Sequence, residues 1–176
     1  ENPSLEVECR TVGLILTLLS HWKETISSLR PQLLAGIESG FLSGDIIHAT
    51  YSLGQLFAMD AIIGTPLDEM ERFMLSRYSQ VRNLGQSTLI NWCQPPIQCL
   101  LNLRNQSTSW DDVVTLTGEA MNEQEYMRSA EDGRNSTFLM IALHHKAYLA
   151  CLFGQFNLAE SLYRKMKPMA QVMKLS

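Results

Sequence analysis

Apolar residues recur along most of this chain at steps of three and four, the spacing that puts them on one face of an α-helix. Leu5 to about Lys23 carries Leu14, Leu16, Leu18, Leu19 and Trp22 and is apolar on most faces, which predicts a buried helix. A second helix begins near Thr25 or Pro31, carries Leu33, Leu34 and Ile37, and ends at Gly40 to Gly44. A third runs from Asp45 to about Ile63, with Ile46, Ala49, Leu53, Leu56 and Phe57 in register. Gly64-Thr-Pro-Leu-Asp-Glu69 is a stop and restart, with Thr65 as the cap and Pro66 in the first turn of a helix that ends at Gly85. Its stripe is Met70, Phe73, Met74, Tyr78, Val81 and Leu84, with Arg77 beside it.

Ser87 to about Arg104 reads as a further helix, and Pro95-Pro96 predicts a kink or short break in it. Asn105 to Gly118 is the least regular part: Gln106 to Ser109 is turn-like, and Trp110 to Leu116 is a helical turn or an extended piece. Glu119 to about Asp132 is a short acidic helix closed by Gly133. Ser136 caps the next, Thr137 to Phe153, which Gly154 ends. The last runs from about Asn157 past Met166, is bent or ended by Pro168, and can resume over Met169 to Leu175. No pair of alternating β-branched runs flanks a hairpin turn. The fold class is all-α, with seven or eight helices as a right-handed stack of antiparallel hairpins over a single domain, residues 1–176.

Ser39-Gly-Phe-Leu-Ser-Gly-Asp-Ile-Ile-His-Ala49 is the most informative stretch. Gly44 breaks one helix, Asp45 caps another, and Ala49 is a small residue where two antiparallel helices can approach. The pattern returns at Gly154, Phe156, Ala159 and Tyr163. These four residues resemble the second helix of the tetratricopeptide repeat, and Gly44, Ile46, Ala49 and Leu53 match it more loosely. The two matches lie 110 residues apart, not a whole number of that family's repeats of about 34 residues. The first helices lack its Trp-x-x-Leu-Gly pattern, so the resemblance is to a divergent tetratricopeptide-like superhelix.

A second resemblance spans most of the chain. The order Gly36, Gly40, Gly44-Asp45, Ala49, Gly64-x-Pro66-Leu67, Asn91-Trp92, Gly118-Glu119-Ala120 and Gly154-x-Phe156 is similar to one region of very large signalling proteins. In those a kinase-like domain, an NTPase, a helical-repeat stretch, a sensor and a histidine kinase or nucleotide cyclase share one chain, and the region follows the NTPase. The resemblance implies a cytoplasmic, non-catalytic scaffold that couples an NTPase or sensor module to an output domain, with neighbouring domains or a protein partner as its contacts. The alternative is a free-standing tetratricopeptide-type adaptor taking a short peptide, with Lys146, Lys165 and Lys167 as its cationic contacts.

Composition adjusts this picture. Charged residues make up 18%, against about 25% in typical soluble domains, so neighbouring chain is expected to cover part of the surface. With Glu1 in place of Met and an end directly after an amphipathic run, the segment reads as excised from a longer protein. A net charge of -4 with scattered Lys and Arg argues against nucleic acid. No uninterrupted apolar run reaches about 18 residues, so no membrane contact is expected. Cys9, Cys93, Cys99 and Cys151 include no Cys-x-x-Cys pair and read as reduced thiols. Asn105-Gln-Ser107 and Asn135-Ser-Thr137 match the glycosylation tripeptide, which recurs by chance.

The chemistry-bearing residues point to no catalytic, cofactor or metal site. Phosphate-binding glycine loops are absent. His144 and His145 point about 100° apart on a helix and do not converge on one ion; one is expected packed and one solvent-facing. His21 and His48 are isolated, and Cys151 and His145 face different directions. Asp111-Asp112 and Glu123-Gln-Glu125 read as helix-start charges or a solvated face. Trp22, Trp92 and Trp110 read as core or inter-helix wedges. Met70, Met74, Met166, Met169 and Met173 read as core before they read as an adaptable groove. Tyr51 and Tyr78 mark the edge expected to receive a partner.

Overall fold

The computed structural model describes residues 5–104 and 110–173, so Asn105-Gln-Ser107, the turn expected at Gln106 to Ser109, and residues 174–176 lie outside the described residues. The helices are α1 (Leu5–Leu18), α2 (Ile26–Ser43), α3 (Ile46–Ile63), α4 (Leu67–Asn83), α5 (Ser87–Arg104), α6 (Trp110–Val113), α7 (Glu123–Asp132), α8 (Ser136–Leu152) and α9 (Phe156–Met173), with a single 3-10 turn at Ser20–Trp22. The fold is all-α, and no strand occurs among the described residues. Eight helices have ten residues or more, and α6 is one turn. The chain forms two compact units, the first ending at Cys93 and the second starting at Gln94, so the boundary falls within α5.

Unit 1 is a run of hairpins. Its helices start at residues 5, 26, 46, 67 and 87, steps of 20 or 21, giving a hairpin period of 41 residues. Gly36 lies against Val12 and Gly40 against Cys9, so numbers fall on α1 as they rise on α2: the two are antiparallel. Gly40 beside Ala49 and Arg30 beside Asp60 make α2 and α3 antiparallel as well. Arg30 pairs with Glu69 and Glu38 with Arg77, both 39 residues apart, so α2 and α4 run parallel.

Glycine sets the spacing. A Cβ on Gly36 would sit 2.9 Å from Val12 Cγ1, and one on Gly40 would collide with the Cys9 sulfur and lie 2.9 Å from Ala49 Cβ. Gly40 is therefore an interior packing residue, not part of the helix end, and α2 continues to Ser43. The close approach to Ala49 is made from Gly40, not Gly44, whose Cβ position is open. Gly44 serves only to reverse the chain, with φ at 84°.

Several expected helix ends are built differently. Thr25 caps α2, its Oγ1 accepting from Ser28 N–H, and Pro31 lies inside the helix. Asp45 stands at the cap position of α3 but makes no capping bond; its carboxylate is held by Arg10 and His48. Thr65 gives its hydroxyl to Asp60 at 2.8 Å, and Pro66 precedes the first turn of α4. The acidic helix begins at Glu123, because Asn122 caps it and Gly118 N–H closes a turn on Met121 O. It ends with Arg134, not Gly133, in the left-handed conformation, at φ 50°. Asn135, not Ser136, caps α8. No break occurs at Pro95-Pro96 or at Pro168. Around Pro95-Pro96, burial of Leu89, Cys93, Ile97 and Leu100 along one helix outweighs the lost backbone bonds.

The expected burial of the first helix holds on one face only. Cys9 and Leu16 are buried, whereas Leu14, Ile15, Leu19 and Trp22 are exposed, Trp22 at 79%. Helix α3 has the length and mean hydropathy, 1.2, of a membrane-crossing helix, which run length alone did not anticipate. It packs against α1 and α2 and carries the buried, ion-paired Asp60, the placement of a core helix.

In unit 2, α8 and α9 pack through Leu143, Ala147, Leu162 and Met166. The connection before α7 is clamped to α5 by two buried amides. Asn102 Nδ2 donates to Val113 O and Thr115 O, and Gln98 Oε1 accepts from Ala120 N–H.

The two kinds of glycine separate by mutation. Gly40→Ala is expected to cost about 2 kcal/mol through overpacking against Cys9 and Ala49. Gly44→Ala, with free space around it, is expected to cost about 1 kcal/mol for the left-handed backbone alone. Urea denaturation of both variants and of Gly40→Ala/Cys9→Ala checks this; the double variant recovers part of the loss only if the sulfur is the obstruction.

Candidate functional site

Side chains with chemical potential gather at three places, and in each they are engaged with one another. The first lies at the start of α3. Asp45 is buried and accepts from Arg10 Nε at 2.9 Å and from His48 Nδ1 at 2.8 Å. Burial works to raise the Asp45 pKa, but the bonds from His48 and Arg10 outweigh it and hold the carboxyl below its ordinary value. With Asp45 ionised, the His48 Nδ1–H donates to it and the carboxylate fixes the plane of the ring. An acid orienting an imidazole is the geometry of a general base. The ring beside it is the edge-on Tyr51, 6.4 Å away between centroids, and Tyr51 in turn packs on Trp92 at 4.4 Å. The imidazole thus lies between the Asp45 carboxylate and the Tyr51 ring.

The second place is the end of α3. Arg30 forks between Asp60 and Glu69, and its pKa is raised, chiefly by the hydrogen bond to Asp60. Thr65 completes the Asp60 shell. Eight residues on, Arg77 pairs with Glu38 and lies over the rings of Phe41 and Phe73. These groups tie α2, α3 and α4 together.

The third is in unit 2. Glu123 accepts from Leu116 N–H at 2.7 Å and pairs with Lys146. Glu123 and Glu125 both stand in the first turn of α7, the helix-start placement expected of them; Glu125 is exposed, and Glu123 is in addition a latch on the preceding loop. His145 is half-buried, its Nδ1 2.8 Å from Ile141 O, and desolvation lowers its pKa to about 4. His144 stays at the surface, with its pKa lowered by partial burial, so one histidine is packed and one faces outward, as expected. Burial raises the Cys93 thiol to about 12 and raises Cys99 as well, the opposite of an activated nucleophile. Cys151 is an exposed free thiol.

The remaining candidates divide. Met70, Met74 and Met166 are buried core, and Met169 packs on the α8–α9 cluster. Tyr78 is buried beneath Arg82 and is not available to a partner, whereas Tyr51 is half-buried. Trp92 is a wedge between α3 and α5; Trp22 is not, and stands in solvent. Asp112 is exposed; the side chains of His21, Trp110, Asp111 and Met173 lie outside the described residues. Among the described residues, no three His, Cys, Asp or Glu side chains come together as a metal site. His48, read as isolated, is paired with Asp45, a contact signalled along the chain by nothing but the i, i+3 spacing.

In comparison with known proteins, no protein family, no curated protein and no solved structure matches this chain.

The desolvated histidine predicts a pH dependence with a definite sign. His145 has a folded pKa near 4 against an ordinary value of 6.5, so the unfolded chain binds the extra proton between those limits. Stability is full above pH 6.5 and falls as pH drops toward 4, by on the order of 3 kcal/mol from this residue. His144 pushes the same way. Denaturant midpoints across this window check it; His145→Phe is expected to flatten the curve, and an unchanged slope would remove His145 as its cause.

Proposed function

We propose that the chain is a non-catalytic helical-repeat scaffold coupling an NTPase or sensor module to a signalling output domain, in a cytoplasmic setting, through protein-protein or interdomain contacts. The observation that carries this reading is the set of large apolar side chains left on the outside of hairpins with closed cores. Leu14, Ile15, Leu19 and Trp22 mark α1; Leu152, Phe156 and Tyr163 mark the α8–α9 hairpin. Such side chains on a chain short of charge suit burial by neighbouring protein. Of the residues carrying the tetratricopeptide resemblance, Ala159 is buried between helices, while Phe156 and Tyr163 face outward where a neighbour would cover them. Stacked hairpins share side chains between successive pairs, so a displacement of one biases the packing of the next. The free cysteines, three of them buried, are compatible with a reducing compartment.

A free-standing peptide-binding adaptor is the second reading. It is favoured by a shallow depression of about 450 Å³ on α9, lined by Asn157, Glu160, Ser161, Arg164 and Lys165. Its cationic set is reduced, because Lys146 is paired with Glu123.

The reading frame on both sides of the segment tests the choice. An NTPase module on one side with a sensor, kinase or cyclase on the other supports coupling; a frame without them turns the reading to the adaptor. In a chain of the first kind, Phe156→Asp/Tyr163→Asp is expected to move the thermal midpoint by only about 2–4 °C. The same variant is expected to cut nucleotide-dependent output about tenfold, and full output from it would sink the coupling role.

A further inference from the structure

Shifted by the hairpin period of 41 residues, α1 falls on α3 and Gly13 falls on Gly54. Both glycines face the next odd-numbered helix. A Cβ on Gly13 would come 2.7 Å from Ser52 Oγ of α3, and one on Gly54 would come 3.4 Å from Trp92 Nε1 of α5. Arg10 beside Asp45 and Gly13 beside Ser52 show that α1 lies parallel on α3. Helices α1 and α3 thus each turn a glycine-bearing side toward the next odd-numbered helix.

The receiving side of α3 is equally definite. Ser52 and Gln55 face Gly13, and the neighbouring Leu56 is buried to 1% exposure. The same step carries these three back onto Thr11, Leu14 and Ile15 of α1, and carries Ile63 onto Trp22. There the burial stops: Thr11 is exposed, Leu14 is 56% exposed and Ile15 is 43% exposed. A small hydroxyl residue again stands at the point of closest approach, Thr11 for Ser52, with apolar residues beside it. Helix α1 has a face like the one it covers on α3, with Leu14 in place of Gln55, and its Thr11, Leu14 and Ile15 are exposed.

We propose that this face receives a further amphipathic helix, laid parallel to α1 and presenting glycine or another small residue to Thr11. The occupant follows from continuity with the α1–α3 packing. A small residue opposite a small hydroxyl lets two backbones approach, a demand that a lipid surface or a face-to-face second copy does not make. A second copy lacks the required surface, since its own Gly13 side is already spent on its own α3. The inference rests on repeat packing inside unit 1 and not on the coupling role. Full output from Phe156→Asp/Tyr163→Asp with intact helix binding sinks only the latter.

The probe is a synthetic peptide of residues 5–22, which carries the Gly13 side, labelled and titrated with the full chain. Saturable binding is expected, weakened about tenfold by Gly13→Val in the peptide. Ile15→Asp in the protein is expected to weaken it as much, while Leu42→Asp, exposed elsewhere on unit 1, leaves it unchanged. Circular dichroism establishes that both protein variants stay folded. The proposal is overturned if no binding occurs or if the two peptides bind alike. It is overturned too if Ile15→Asp has no effect, which would mean the peptide displaces α1 from α3. Concentration-dependent dimerisation lost in Ile15→Asp, or capture of the unlabelled chain by phosphatidylcholine vesicles lost in that variant, would assign the face to those occupants instead.

Discussion

Backbone proximity around α2 is the constraint from which the rest of unit 1 follows. Gly36 and Gly40 remove the side chains that would hold α1 and α3 away, so Val12, Cys9 and Ala49 rest against bare backbone. Once the helices are that close, their ends have little room. Asp45 is pressed into a buried position where it needs two donors, and Arg10 and His48 supply them. Asp60 at the other end of α3 is in the same situation and is answered by Arg30 and Thr65. Both polar clusters of unit 1 answer this need: a carboxylate buried by tight helix packing is costly unless it is paired and hydrogen-bonded.

What the sequence made legible was periodicity. Three- and four-residue steps locate every long helix, and Gly44, Gly64, Gly85 and Gly154, all with positive φ, mark where four of them stop. Cap chemistry was legible only in part, because a short polar side chain at a helix start has several possible partners. Thr25 and Asn122 cap as such residues do, but Asp45 is held by Arg10, 35 residues away, and by His48, and Thr65 turns back to the buried Asp60. The proline pair misled for a related reason. Helix propensity is local, while the burial of α5 along Leu89, Cys93, Ile97 and Leu100 is tertiary and larger.

Candidate sites were harder to read, since adjacency across helices leaves no trace in spacing along one of them. His144-His145 divides into a packed and an outward ring, as helical geometry requires. The pairing of Glu123 with Lys146 joins two helices and could not be inferred from Glu123-Gln-Glu125. Trp22 failed as a core residue because amphipathicity says which residues are apolar, not whether a neighbour is there to cover them. The regular step of 41 residues was hidden for the same reason: the repeated features are mainly contacts, and few letters repeat with it, among them Gly13 with Gly54 and Gly44 with Gly85.

The two ion pairs between α2 and α4 have opposite polarity. Arg30 on α2 meets an acid on α4, and eight residues later Glu38 on α2 meets a base. Reversing one helix against the other would set Arg30 facing Arg77 and Glu38 facing Glu69, like charge against like at both ends. A register slip of two turns would strand one charge and misplace the other. The crossed signs act as a keyed joint. They admit the parallel, in-register neighbour and repel the same helix inserted backwards, an error open to any chain built from helices of nearly equal length. Fidelity of assembly, more than strength, is what two such pairs at a protein surface can supply.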